Sequence, residues 1–76
     1  MRKIAPVSYR TLTRVFQADG FRFVAQKGDH LIFAKSGIAR PLVIPKHDRI
    51  PIFVVKNTLR TARMSRERHF QLLEMA

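Results

Sequence analysis

Apolar residues recur along this chain with two different periods, and the change from one to the other outlines a fold. Leu12, Val15 and Phe16 fall at i, i+3 and i+4, one stripe of a helix, while Arg10, Thr13, Arg14 and Gln17 take the other side. Ser8 stands where an N-cap belongs, since its hydroxyl can accept a hydrogen bond from a free first-turn amide. Val7 just before it is placed to pack back on Leu12. Gly20 tolerates the positive φ at which helices end. The spacing predicts a helix from Tyr9 to Asp19.

From Phe21 the period shortens to two. Phe21, Phe23 and Ala25 alternate with Arg22, Val24 and Gln26, which puts the first three on one face of a strand. Lys27-Gly28-Asp29 makes a tight connection, because glycine accepts the backbone of a hairpin turn. His30 to Lys35 reads as the second strand and Ser36-Gly37 as the second turn. The third strand, Arg40 to Ile44, has Pro41 and Pro45 near its ends, which cannot donate to a ladder and so favour an edge for part of it. A basic loop, Pro45 to Pro51, leads to a second helix over Phe53 to Ala62. Its Arg60 and the following Arg63 lie where a helix dipole favours cations. Ser65 then caps a short helix from Arg66 to Glu74, with Phe70, Leu73 and Met64 turned inward. The pattern predicts one α+β domain over residues 1–76: a helix, a three-stranded antiparallel meander, and two more helices.

Charge narrows the partner. Fifteen Lys and Arg against five Asp and Glu give a net charge of +10, spread from Arg2 to Arg68. A folded body with that surface points to nucleic acid first, with an anionic membrane or an acidic protein as alternatives. At 46 % hydrophobic residues the chain is too apolar for a disordered basic tail. No apolar run approaches the roughly 20 residues of a membrane span. Met1 to Pro6 lack the apolar stretch of a secretory signal, so the cytoplasm is the expected compartment.

Most catalytic chemistries find no foothold. There is no cysteine, and His30, His47 and His69 are far apart, with no HExxH or EF-hand pattern; neither metal nor cofactor is expected. The three glycines form no phosphate loop. Nothing in the spacing gives a serine an activating base, and the carboxylates are scattered over elements of different type. Acid–base work by histidine is what remains. RNA brings its own nucleophile, the 2′-hydroxyl, so its cleavage needs proton transfer, positioning and charge stabilisation. His30 is the candidate, because paired strands would fix its backbone while its ring reaches solvent, although a surface histidine without a role has the same spacing. His47 is a second acid–base group, a phosphate contact, or a solvated loop residue. His69 reads as a surface residue. Lys27, Arg40, Lys46, Arg49 and Lys56 are candidates for tracking an RNA backbone. Tyr9, Phe21, Phe23 and Phe53 either stack on bases or, as is commoner at such spacings, join the core.

Ser8-Tyr9-Arg10, Asp19-Gly20-Phe21, the run Gln26-Lys27-Gly28-Asp29-His30-Leu31-Ile32-Phe33, Leu42-Val43-Ile44-Pro45-Lys46-His47 and Thr58-Leu59-Arg60 together resemble the HicA family. These are the small toxins of HicA–HicB toxin–antitoxin systems, and the resemblance runs in order from about Pro6 to Leu73. It implies an α-β-β-β-α fold similar to a double-stranded-RNA-binding domain, with an extra short C-terminal helix. It also implies metal-independent, ribosome-independent cleavage of mRNA, with His30 in the position of the family's catalytic histidine. A HicB-like antitoxin would cover that site, and the toxin itself would contact no DNA. Two positions depart from the family pattern. Asp29 stands where Ser or Thr is usual, and would either repel phosphate or orient the imidazole. Arg63 stands where glycine is common before the last helix. The alternative to an endoribonuclease is a domain of the same fold that binds RNA without cutting it.

Overall fold

The computed structural model describes residues 2–75; Met1 and Ala76, the two ends of the predicted domain, lie outside the described residues. The elements follow the predicted order: α1 (Tyr9–Ala18), β1 (Arg22–Lys27), β2 (His30–Lys35), β3 (Ile38–Pro45), α2 (Ile52–Ala62) and α3 (Arg66–Met75). The strands form one antiparallel sheet in the order β1-β2-β3. This is an α+β architecture like that of a double-stranded-RNA-binding domain. No helix among the described residues is long and apolar enough to cross a membrane.

One face of the sheet is covered and the other is open. Leu31, Phe33, Leu42 and Ile44 are buried against Leu12, Val15 and Phe16 of α1 and Val55 and Leu59 of α2. The intervening His30, Ile32, Pro41 and Val43 are exposed or half-buried. Burying a Leu or Phe side chain contributes about 1.5–3 kcal/mol, and these strand and helix positions together supply most of the core. The helix caps behave as their residues require. Ser8 Oγ accepts a hydrogen bond from the Thr11 amide at 3.2 Å, and α1 closes with Asp19 as its C-cap just ahead of Gly20 at φ 99°. Helix α2 ends in a Schellman arrangement: the Met64 amide donates to Leu59 O at 2.9 Å and the Arg63 amide to Arg60 O at 3.1 Å. That closure places Arg63 in the left-handed region at φ 55°, ψ 39°. A side chain there costs roughly 1–2 kcal/mol that glycine avoids.

Three details depart from the expected pattern. A bulge between Phe23 and Ala25 interrupts β1, so alternation does not run through the strand. Phe21 is buried, whereas Phe23 is 52 % and Val24 54 % exposed; an extra residue in one strand reorients its neighbours. Phe23 keeps only an edge-to-face approach to Phe33, ring centroids 5.7 Å apart. Strand β3 begins at Ile38 rather than Arg40, because the Ser36-Gly37 turn leads straight into the Lys35–Ile38 pair. As an outer strand, β3 leaves Pro41 and Pro45 free of the donor duty they cannot perform.

The third departure lies in α3, whose most buried residues are His69 and Leu72, with Phe70 and Leu73 half-buried. His69 is 1 % exposed, not a surface residue. The helix packs on α1 and is held at its polar edges. Arg68 reaches Asp19 at 3.3 Å, Arg2 reaches Glu74 at 3.3 Å, and Arg66 donates to the Arg2 carbonyl. Closing this seam carries His69 inside.

Candidate active site

The β1–β2 turn, the exit of β3 and the start of α1 meet at one end of the sheet. Gly28, at φ 60°, permits the turn, and the Gln26 side-chain amide donates to Gly28 O at 2.9 Å to brace it. The Lys46 amide donates to Asp29 O at 2.7 Å, fastening the turn to the residue just past β3. The Tyr9 amide then donates to His47 O at 3.0 Å, which ties the loop to the first turn of α1. His30 itself is paired with Lys27 on one side and Pro45 on the other. Its backbone is therefore fixed by ladders, while its ring projects on the open side.

Asp29 occupies the space between two histidines. Its carboxylate lies 3.8 Å from His30 Nδ1 through one oxygen and 3.6 Å from His47 Nε2 through the other. The side chains of His30, Asp29 and His47 are 57 %, 65 % and 53 % exposed. Both separations exceed a hydrogen bond, and solvent screens them, so each contact is worth less than about 1 kcal/mol. Their value is positional. Adjacent residues in a strand would point to opposite faces, but Asp29 belongs to the turn and is free of that alternation.

Cations surround this trio. Lys27 and Lys46 are exposed and, among the described residues, have no carboxylate within ion-pair reach. Tyr9 lies beneath two positive groups, the Arg10 guanidinium at 4.8 Å and the Lys46 ammonium at 5.9 Å from its ring centroid. Arg10 also reaches Asp48 at 3.5 Å. Sequence reasoning did not assign Tyr9 or Arg10 to this end of the molecule, nor the approach of His47 to Asp29. The only trace was the Ser8-Tyr9-Arg10 segment, and its relevance depends on the Tyr9–His47 hydrogen bond, a tertiary contact.

Of the residues singled out from the sequence, Lys27, His30, Lys46 and His47 are gathered here. Arg49 is exposed in the following loop and Lys56 on α2. Arg40 is elsewhere: five residues before Pro45 on β3, it lies about 17 Å along the strand from the His30 pair, at ~3.3 Å per residue. Among the described residues no group of three His, Cys, Asp or Glu is arranged to hold a metal ion. Phe53 is 67 % exposed at the start of α2, so it is not the core residue its aromatic character favoured.

The third histidine shows the opposite environment. Both ring nitrogens of His69 are buried without a hydrogen-bond partner among the described residues. Burial first, and the nearby Arg2 charge second, hold its imidazole below the usual histidine range. Such a ring is a packing element, closed to any substrate.

Two solvent-open imidazoles on either side of one carboxylate, rimmed by exposed lysines, can exchange protons beside an anion. A comparison with family models finds a match over residues 9–64 to the HicA toxin of bacterial toxin–antitoxin systems. That span runs from the first residue of α1 to just past α2 and contains the Asp29, His30 and His47 cluster. No similar protein was found among curated proteins, and none among solved structures. With well over half of its length matched in the order the fold requires, this chain belongs to the HicA toxin family of bacterial toxin–antitoxin systems.

Proposed function

We propose that this toxin is a metal-independent endoribonuclease that cleaves mRNA in the cytoplasm, with His30 as its central acid–base group. The observation that carries the reading is the geometry of His30: a strand-fixed backbone, a ring open to solvent, and a carboxylate shared with a second imidazole. One imidazole takes the proton of the 2′-hydroxyl, and the 2′-oxygen attacks the adjacent phosphorus. The P–O5′ bond breaks, and the other imidazole protonates the departing oxygen, leaving a 2′,3′-cyclic phosphate. Asp29 orients both rings and steadies whichever is protonated. Lys27 and Lys46 face the added charge on the phosphate oxygens. A HicB-like antitoxin would neutralise the toxin by covering this end of the sheet.

The test is cleavage of a defined RNA by purified protein in chelator, with products resolved by length and end group. Wild-type protein should cut and His30→Ala should not; equal rates from the two would remove His30 from the mechanism. One feature favours a second reading, the binding of RNA without cleavage. The Asp29 carboxylate is 65 % exposed within the site and repels phosphate. RNA retained tightly and recovered whole from wild-type protein would select that alternative.

A further inference from the structure

The far end of β3 holds a second concentration of positive charge. Arg40 from the strand, with Arg60 and Arg63 from the end of α2, lines a cleft of about 250 Å³ together with Ile38, Ala39 and Thr61. All three arginines are exposed. Among the described residues none of them is within ion-pair reach of a carboxylate, while Arg2, Arg10, Lys35 and Arg68 each have one. The dipole of α2 accounts for a cation at its carboxyl end. It does not account for Arg40, which arrives from the sheet. Nor does it explain why the left-handed cap at φ 55° carries an arginine instead of the glycine that would adopt it freely. A guanidinium fork matches phosphate oxygens two at a time, and three forks on one small cleft suit an anion.

We propose that this cleft is a second backbone subsite, which holds a phosphate of the RNA while another phosphate lies at His30. The proposal rests on the RNA-cleaving reading for the identity of the ligand. The two subsites are about 17 Å apart along β3 and on different sides of it, His30 on the open face and the cleft beside α2, so this is a minimum separation. At ~3.4 Å per stacked nucleotide, that span corresponds to about five nucleotides. RNA shorter than this can reach the histidines without reaching the arginines. Length dependence therefore marks the subsite.

The experiment measures binding of labelled 4- and 16-nucleotide RNAs, with His30→Ala as the parent so that RNA stays whole. Arg40→Gln and Arg63→Gly are added singly and together. Each change should weaken the 16-mer about three- to tenfold at low salt and lower the salt slope by about one, leaving the 4-mer unaltered. Arg63→Gly should do so while raising the thermal midpoint, because glycine relieves the cap. A purely structural role for Arg63 would not lower affinity as stability rises. Unchanged 16-mer binding in the double variant overturns the subsite, as does equal loss for both RNAs. Loss of antitoxin binding alone would make the cleft a protein contact and overturn it too. A parent that binds neither RNA overturns the RNA-cleaving reading as well, whereas a parent that binds both RNAs, with its variants unchanged, overturns the subsite alone.

Discussion

His30 and His69 are the same side chain held in opposite ways. His30 is fixed through its backbone, by ladders to Lys27 and Pro45, and its ring is left to solvent. His69 is fixed through its ring, which is buried with neither nitrogen satisfied among the described residues. The first arrangement places a proton-transfer group at little expense to folding. The second devotes the ring to packing and makes the fold answer to pH. On the proposed mechanism, function and stability are divided between two histidines, and substitutions should separate them.

The largest effect is expected at the exposed end. His30→Ala should lower RNA cleavage by about 10²- to 10⁴-fold, the usual worth of a positioned acid–base group. Its stability in urea should stay within about 0.5 kcal/mol of wild type, as for surface changes generally. A large loss of stability would break the contrast, since it would make His30 a structural residue.

The next effect belongs to the buried ring. The folded state holds the His69 pKa below the ordinary histidine value of 6.5, so the unfolded chain takes up a proton that the folded chain resists. Stability is then fully present above about pH 6.5 and falls as pH drops below it, by up to about 1.4 kcal/mol per pH unit. His69→Leu, of comparable bulk and without polar atoms, should flatten that slope while leaving RNA cleavage intact. Urea titrations at about pH 7.5, 6.5 and 5.5, which bracket the ordinary histidine range, read it directly; an unchanged slope would assign the pH response elsewhere. The smallest effect is Asp29→Asn. Losing two solvent-screened contacts should change cleavage by less than about fivefold. An increase would mean that repulsion of phosphate outweighs orientation of the rings, and single-turnover rates would show which of the two prevails.

The contrast also explains what the sequence made readable. Helix α1 was legible because stripe, cap and stop agree: Leu12, Val15 and Phe16 inside, Ser8 before, Gly20 after. The hairpin was legible from Lys27-Gly28-Asp29, and with it the position of His30. The β1 bulge left no mark, since Phe23 and Ala25 continue an alternation that the backbone abandons. In α3, His69 and Leu72 form one i, i+3 stripe and Phe70 and Leu73 form another beside it. Only docking on α1 chooses between them, and that choice is a tertiary one. The approach of Asp29 to His47 depends on how β3 leaves the sheet, a long-range alignment that local patterns do not encode.

Among the described residues only Arg2, Arg10, Lys35 and Arg68 have a carboxylate within ion-pair reach, so most of the fifteen Lys and Arg carry uncompensated charge. Mutual repulsion of that kind strains a compact body, and dissolved ions relieve it. The same ions compete for the cations that would grip a polyanion. Raising ionic strength should therefore firm the fold and loosen its hold on RNA together. If RNA is its ligand, a toxin of this composition should be sturdiest in the buffer where it binds least.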